Sequence, residues 1–105
     1  MIALTSKNLQ KEVKDFCGLV IVVFTLPWDP AATKTLDFLS THPANFPSYK
    51  LCAVDFEAER ELVQLFTVRN LPKVFAIQNG KFIGPSVSTC EDETSLKSLL
   101  NGISV

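Results

Sequence analysis

Apolar positions along the chain change period several times, and each change marks an element. Ile2 to Thr5 forms a short strand-like run, and Ser6 is placed to cap a helix carrying Leu9, Val13 and Phe16 on one face. After a break at Cys17-Gly18, the run Leu19-Val20-Ile21-Val22-Val23-Phe24 is apolar on both faces and rich in β-branched residues, the mark of a central strand covered by helices on each side. A helix from Pro30 to about Ser40 turns Ala32, Leu36 and Leu39 inward, and a polar stretch with Pro43 and Pro47 ends it. Leu51 to Val54 forms a second buried strand. Asp55 is then expected to cap a helix whose stripe is Ala58, Leu62, Leu65 and Phe66. Val74 to Gln78, Asn79-Gly80 and Lys81 to Ile83 spell a hairpin, because Asn-Gly supplies the positive backbone angles of a two-residue turn. Leu96, Leu99 and Leu100 line a last helix that Gly102 terminates. The order is βαβαβαββα, with parallel strands first and an antiparallel hairpin last.

Composition narrows what such a chain does. With 105 residues, 47% of them hydrophobic and eight of them phenylalanine, residues 1–105 read as one domain burying roughly 65% of its unfolded surface. The net charge of -1 is spread without runs, so no concentrated basic surface points to nucleic acid. The longest apolar run, Gly18 to Phe24, is too short to span a bilayer, and no basic segment followed by a signal-like core opens the chain. The expected compartment is the cytoplasm or nucleus, or else an organelle matrix, with no membrane partner. Cys17, Cys52 and Cys90 are odd in number and widely spaced, neither a disulfide framework nor a metal-ligand set, and no cofactor is indicated.

The stretch from Val22 to Ala32, Val-Val-Phe-Thr-Leu-Pro-Trp-Asp-Pro-Ala-Ala, resembles the active-site turn of thioredoxins, where a buried strand and an exposed tryptophan precede C-G-P-C at the start of a helix. A second landmark, Val68 to Phe75 followed by Asn79-Gly80-Lys81, resembles the family's cis-proline segment, and the likeness extends from Ile2 to about Ile103. It implies the α/β thioredoxin fold, a mixed sheet of about five strands with helices on both faces. It also implies a cis Leu71-Pro72 bond facing the turn, the alternative being a trans proline that opens a strand. The turn Trp28-Asp29-Pro30 is also similar to that of the spliceosomal thioredoxin-like proteins. Ser40 to Ile83 resembles the thioredoxin-like domain of multidomain monothiol glutaredoxins. Both resemblances are to proteins that can lack a dithiol pair.

Every position that would carry thiol chemistry in that frame holds another residue. Asp29 stands where the first cysteine would be, Ala32 where the resolving cysteine would be, and Val23 where the family places a buried aspartate. Thiol exchange requires a thiolate, so the degenerate turn Trp28, Asp29, Pro30, Ala31, Ala32 contains no catalytic residue and dithiol oxidoreductase activity is not expected. Asp29 followed by Pro30 is instead a strong helix start: the carboxylate accepts from free amides, and proline at the first position has no amide to satisfy.

What the resemblance leaves is a recognition surface. The matching groove positions are Trp28, Asp29, Leu71, Pro72, Lys73, Ser88 and Thr89, which implies a protein-binding module or subunit holding a protein or an extended peptide segment. Trp28 could alternatively pack on its own loop, and the fold could serve only to brace a neighbour through its helices. Cys52, inside a strand, reads as a small core hydrophobe, and Cys17 carries the same inert reading. Cys90, in Ser88-Thr89-Cys90-Glu91-Asp92, is expected to be more exposed, and a divergent single-thiol redox protein using it is the competing function. His42 has no partnered nucleophile in the pattern and reads as a surface residue.

Overall fold

The computed structural model describes residues 1–69, 71, 73–83 and 86–100. Its strands are β1 (Ile2–Ala3), β2 (Leu19–Thr25), β3 (Lys50–Asp55), β4 (Lys73–Gln78) and β5 (Lys81–Phe82), and its α-helices are α1 (Pro30–Ser40), α2 (Arg60–Leu65) and α3 (Glu93–Leu99). A π-helical turn, Gln10–Lys14, precedes β2. The strands form one sheet in the order β1-β3-β2-β4-β5. β3 runs parallel to β1 and β2, whereas β4 is antiparallel to both β2 and β5. This is the mixed α/β sheet that the pattern predicts.

β2 is the centre. Leu19 to Phe24 are all buried, and alternate residues feed two separate cores. Val20, Val22 and Phe24 join Leu9, Val13, Leu62 and Phe66 on one face, while Leu19, Ile21 and Val23 join Leu39, Leu96, Leu99 and Cys90 on the other. The continuous apolar run is therefore required, since neither side of β2 meets water. Asn79 and Gly80 take φ of 52° and 80°, so the hairpin closes with two consecutive left-handed residues. Gly80 is doubly constrained, because a Cβ there would stand 2.8 Å from the backbone oxygen of Lys14. β5 ends at Phe82, although the Ile83 amide still donates to the Ala76 carbonyl.

Several local expectations are corrected. Thr5, not Ser6, caps the first helical segment: its hydroxyl accepts from the Lys7 and Asn8 amides, while the Asn8 carboxamide accepts from the Thr5 amide at 2.7 Å. That reciprocal pair is a capping box with asparagine in the usual place of glutamate. The Ser6 amide, one residue further in, donates to Glu59. Bonds of the wider register follow, with the Asp15 amide donating to the Gln10 carbonyl at 2.8 Å. Phe16 is half-buried, with the Lys50 ammonium 3.8 Å above its ring and also paired to Glu12 at 3.0 Å.

α2 departs further from the pattern. Asp55 does cap, accepting from the Glu57 and Ala58 amides, but it closes a turn and not the helix, which starts only at Arg60. Ala58 is exposed and so is Leu65, at 58%. The inward residues are Leu62, Val63 and Phe66. Leu65 lies about 100° around the axis from Phe66, on the flank away from Val63, because each helical residue rotates by about that angle. The expected cis Leu71-Pro72 bond and the stop at Gly102 fall outside the described residues.

Candidate functional site

At the carboxyl end of β2 the chain turns sharply at Leu26-Pro27-Trp28-Asp29, closed by the Asp29 amide donating to the Leu26 carbonyl at 3.1 Å. Pro27 occupies the second position of that turn, where its fixed φ is already suitable. Asp29, extended at φ -86° and ψ 111°, then caps α1: its carboxylate accepts from the Ala31 amide at 3.0 Å, and Pro30 supplies the first helical residue. A negative charge at this end also complements the helix dipole. The Thr33 amide and hydroxyl both bond the Asp29 carbonyl. Ala32 and Val23 are fully buried, whereas Trp28 stands 66% exposed between two prolines.

The other expected groove residues reach the same end of the sheet. Lys73, half-buried, lies opposite Phe24 in the β2–β4 register. The next residue, Val74, exchanges two backbone hydrogen bonds with Val87, at 2.8 and 3.0 Å, which fixes the approach of Ser88 and Thr89 to the start of β4. The Cys90 amide donates to the buried Thr35 hydroxyl at 3.2 Å, tying this loop to α1. Leu71 is half-buried against the core shared by Phe24 and Phe66. Ser88 is exposed and Thr89 half-buried. Register and bridge thus bring the end of β2, the start of α1, the start of β4 and the loop before α3 to one end of the sheet. Pro72 lies outside the described residues.

The thiols are rearranged relative to expectation. Cys90 is fully buried, and burial, with a smaller push from the Asp92 carboxylate, raises its pKa to about 12. The cause is its position on the sheet-facing side of the loop, docked on Thr35 and surrounded by Leu39, Leu96 and Leu99. Cys52 is buried as expected, its thiol pushed up to about 11 by desolvation despite the lowering effect of Lys50. Cys17, read as inert, is the exposed thiol. Among the described residues no cluster of histidine, cysteine or carboxylate side chains is arranged to hold a metal ion, and no helix is long and apolar enough to cross a membrane.

Two features carry little sequence signal. His42, at φ 49°, stacks on the Tyr49 ring at 4.7 Å, and the Tyr49 hydroxyl donates to the Leu39 carbonyl near the end of α1. On the opposite face of the sheet, Phe66, Phe75 and Phe82 form a mutually tilted cluster with centroid separations of 5.2 to 5.7 Å, and Phe82 is 57% exposed.

This architecture is the thioredoxin fold. A point mutant of thioredoxin from Halobacterium salinarum superposes with a TM-score of 0.77 at 18% identity, over 95% of this chain and 87% of that one. Thioredoxin from Fasciola hepatica superposes with a TM-score of 0.79 at 22% identity, over 96% and 97% of the two chains. No family model and no curated protein matches the chain.

Proposed function

We propose that this is a non-catalytic thioredoxin-fold protein that binds an extended polypeptide segment, as a module or subunit of a larger assembly, through the surface around Trp28. The observation that carries the reading is the occupancy of the α1 N-terminus. The Asp29 carboxylate engages the Ala31 amide at the helix end where a thiolate would be stabilised, while Ala32 and Val23 serve the core and Trp28 remains in solvent. Trp28 offers a large exposed apolar surface in the turn that follows β2, the kind of anchor that dominates interfaces. The competing single-thiol reading loses its support, because Cys90 is buried and its pKa is raised away from the reactive range.

Affinity purification from the native source tests this reading. Wild type should recover a stoichiometric partner that Trp28→Ala and Ser88→Arg both lose with unchanged circular dichroism, and none of the three proteins should accelerate reduction of insulin disulfides by dithiothreitol. Equal recovery by both variants would remove the surface as the binding site, and catalytic insulin reduction would overturn the non-catalytic assignment.

A further inference from the structure

The edge strand β5 combines three properties that the Trp28 surface does not use. The first is an outward backbone pair. Gln78 lies opposite Lys81 across the turn and Ile77 opposite Phe82, while the Ile83 amide donates to the Ala76 carbonyl. In an antiparallel ladder, bonded and non-bonded pairs alternate, so the N–H and C=O of Phe82 point away from β4. Among the described residues, β5 is the last strand of the sheet, with no strand on its outer side to pair with them. The second is an apolar notch of about 140 Å³ beneath that edge, lined by Leu9, Val13, Leu65, Phe66, Ile77 and Phe82, with Leu65 and Phe82 both more than half exposed.

The third property is charge. Lys14 lines the notch, Lys11 belongs to the same helical turn, and Lys81 adjoins Phe82 with its side chain on the other face of the strand. Two acids are near in sequence. The Asp15 carboxylate accepts from the Gln10 carboxamide at 2.8 Å, and Glu61 lies one turn before Leu65. Lysine on an edge strand discourages pairing with a like edge, since two copies joined through β5 would bring their Lys81 side chains together.

We infer that β5 accepts, by strand addition, an extended segment of a partner polypeptide in which an apolar residue is flanked by acidic ones. The apolar side chain sits on the Phe82 face over the notch. Its two neighbours necessarily project to the opposite face, beside Lys81, which selects acids at those positions. The site stands apart from the Trp28 surface and does not depend on its function.

A fluorescein-labelled heptapeptide of alternating glutamate and valine is the probe, with alternating lysine and valine as its counterpart, read by anisotropy at low salt. The acidic peptide should bind saturably and at least about tenfold more tightly than the basic one, and its binding should slow hydrogen exchange of the Phe82 amide. Phe82→Ser and Leu65→Ser should each weaken it by about tenfold, Trp28→Ala should leave it unchanged, and Lys81→Glu should invert the preference between the two peptides. Because Lys81 is exposed, that inversion reads the site even if an apolar variant folds poorly. Equal affinity for both peptides, no response to Lys81→Glu, or Phe82-dependent self-association without peptide binding would overturn the proposal.

Discussion

The two faces of the sheet are built from the same alternating strand residues yet finished differently. On the face under α1 and α3, Leu39, Cys90, Leu96 and Leu99 are fully buried, and the backbone of the loop before α3 is anchored to Thr35. On the other face, a five-residue π-helical turn and a six-residue α2 cover the core, and Leu65 and Phe82 are left largely in water. The first face is sealed because a long helix and a docked loop supply continuous apolar cover. The second has two short pieces, and a short helix covers little beyond its own inward stripe. Cover runs short on the second face, and at Trp28 a turn is held outward.

Thiol reactivity separates the sealed regions from the open surface most strongly. In native protein at neutral pH, iodoacetamide should label Cys17 at least about a thousandfold faster than Cys90 or Cys52, since exposing a buried thiol needs an opening of ~5 kcal/mol or more. Mass spectrometry of the labelled chain checks this, and matched rates at Cys17 and Cys90 would break the comparison. Truncation in the packed core comes next. Leu96→Ala should cost about 2–5 kcal/mol, whereas Leu65→Ala on the open face should stay within about 0.5 kcal/mol, as urea denaturation would measure.

Alkali sharpens the same contrast. Burial raises Cys90 from 9.0 and Tyr49 from 10.0, both to about 12, so the folded protein retains protons that the unfolded chain gives up. Each group's contribution is complete below its unfolded value and is lost as pH rises through about 12. The urea midpoint should therefore fall above pH 9, and Cys90→Ala should shallow the decline. The turn should respond less than the packed core: Asp29→Ala should cost about 0.5–2 kcal/mol, while Asp29→Asn, which still accepts from the Ala31 amide, should cost only a few tenths. Thermal unfolding distinguishes the two.

Much of the sealed architecture was legible because its signals are local and redundant. The β-branched run of β2 admits no amphipathic helix, Asn79-Gly80 accepts two positive φ angles, and Asp29-Pro30 both caps and starts α1. The errors arose where neighbours compete. Thr5 and Ser6 are both hydroxyl caps, and only the returning Asn8 carboxamide selects between them. Asp55 satisfies amides two and three residues on whether or not a helix follows, so its side chain could not reveal the delayed start at Arg60. Cys90 was misread because its burial rests on a bond to a residue 55 positions away, a contact no local window contains. At the candidate site, the empty chemistry of the turn was plain from residue types. Its meeting with Lys73 and the Ser88-Thr89 loop depends on strand register and the Val74–Val87 bridge.

The Thr35 hydroxyl has a mechanical meaning as well as a packing one. α1 begins at the Trp28 turn, and midway along it Thr35 holds the backbone of Cys90, immediately after Thr89. Both banks of the proposed groove are therefore tied to one helix. In that groove the tie would resist the walls moving apart, so a guest segment would be sorted by side-chain bulk.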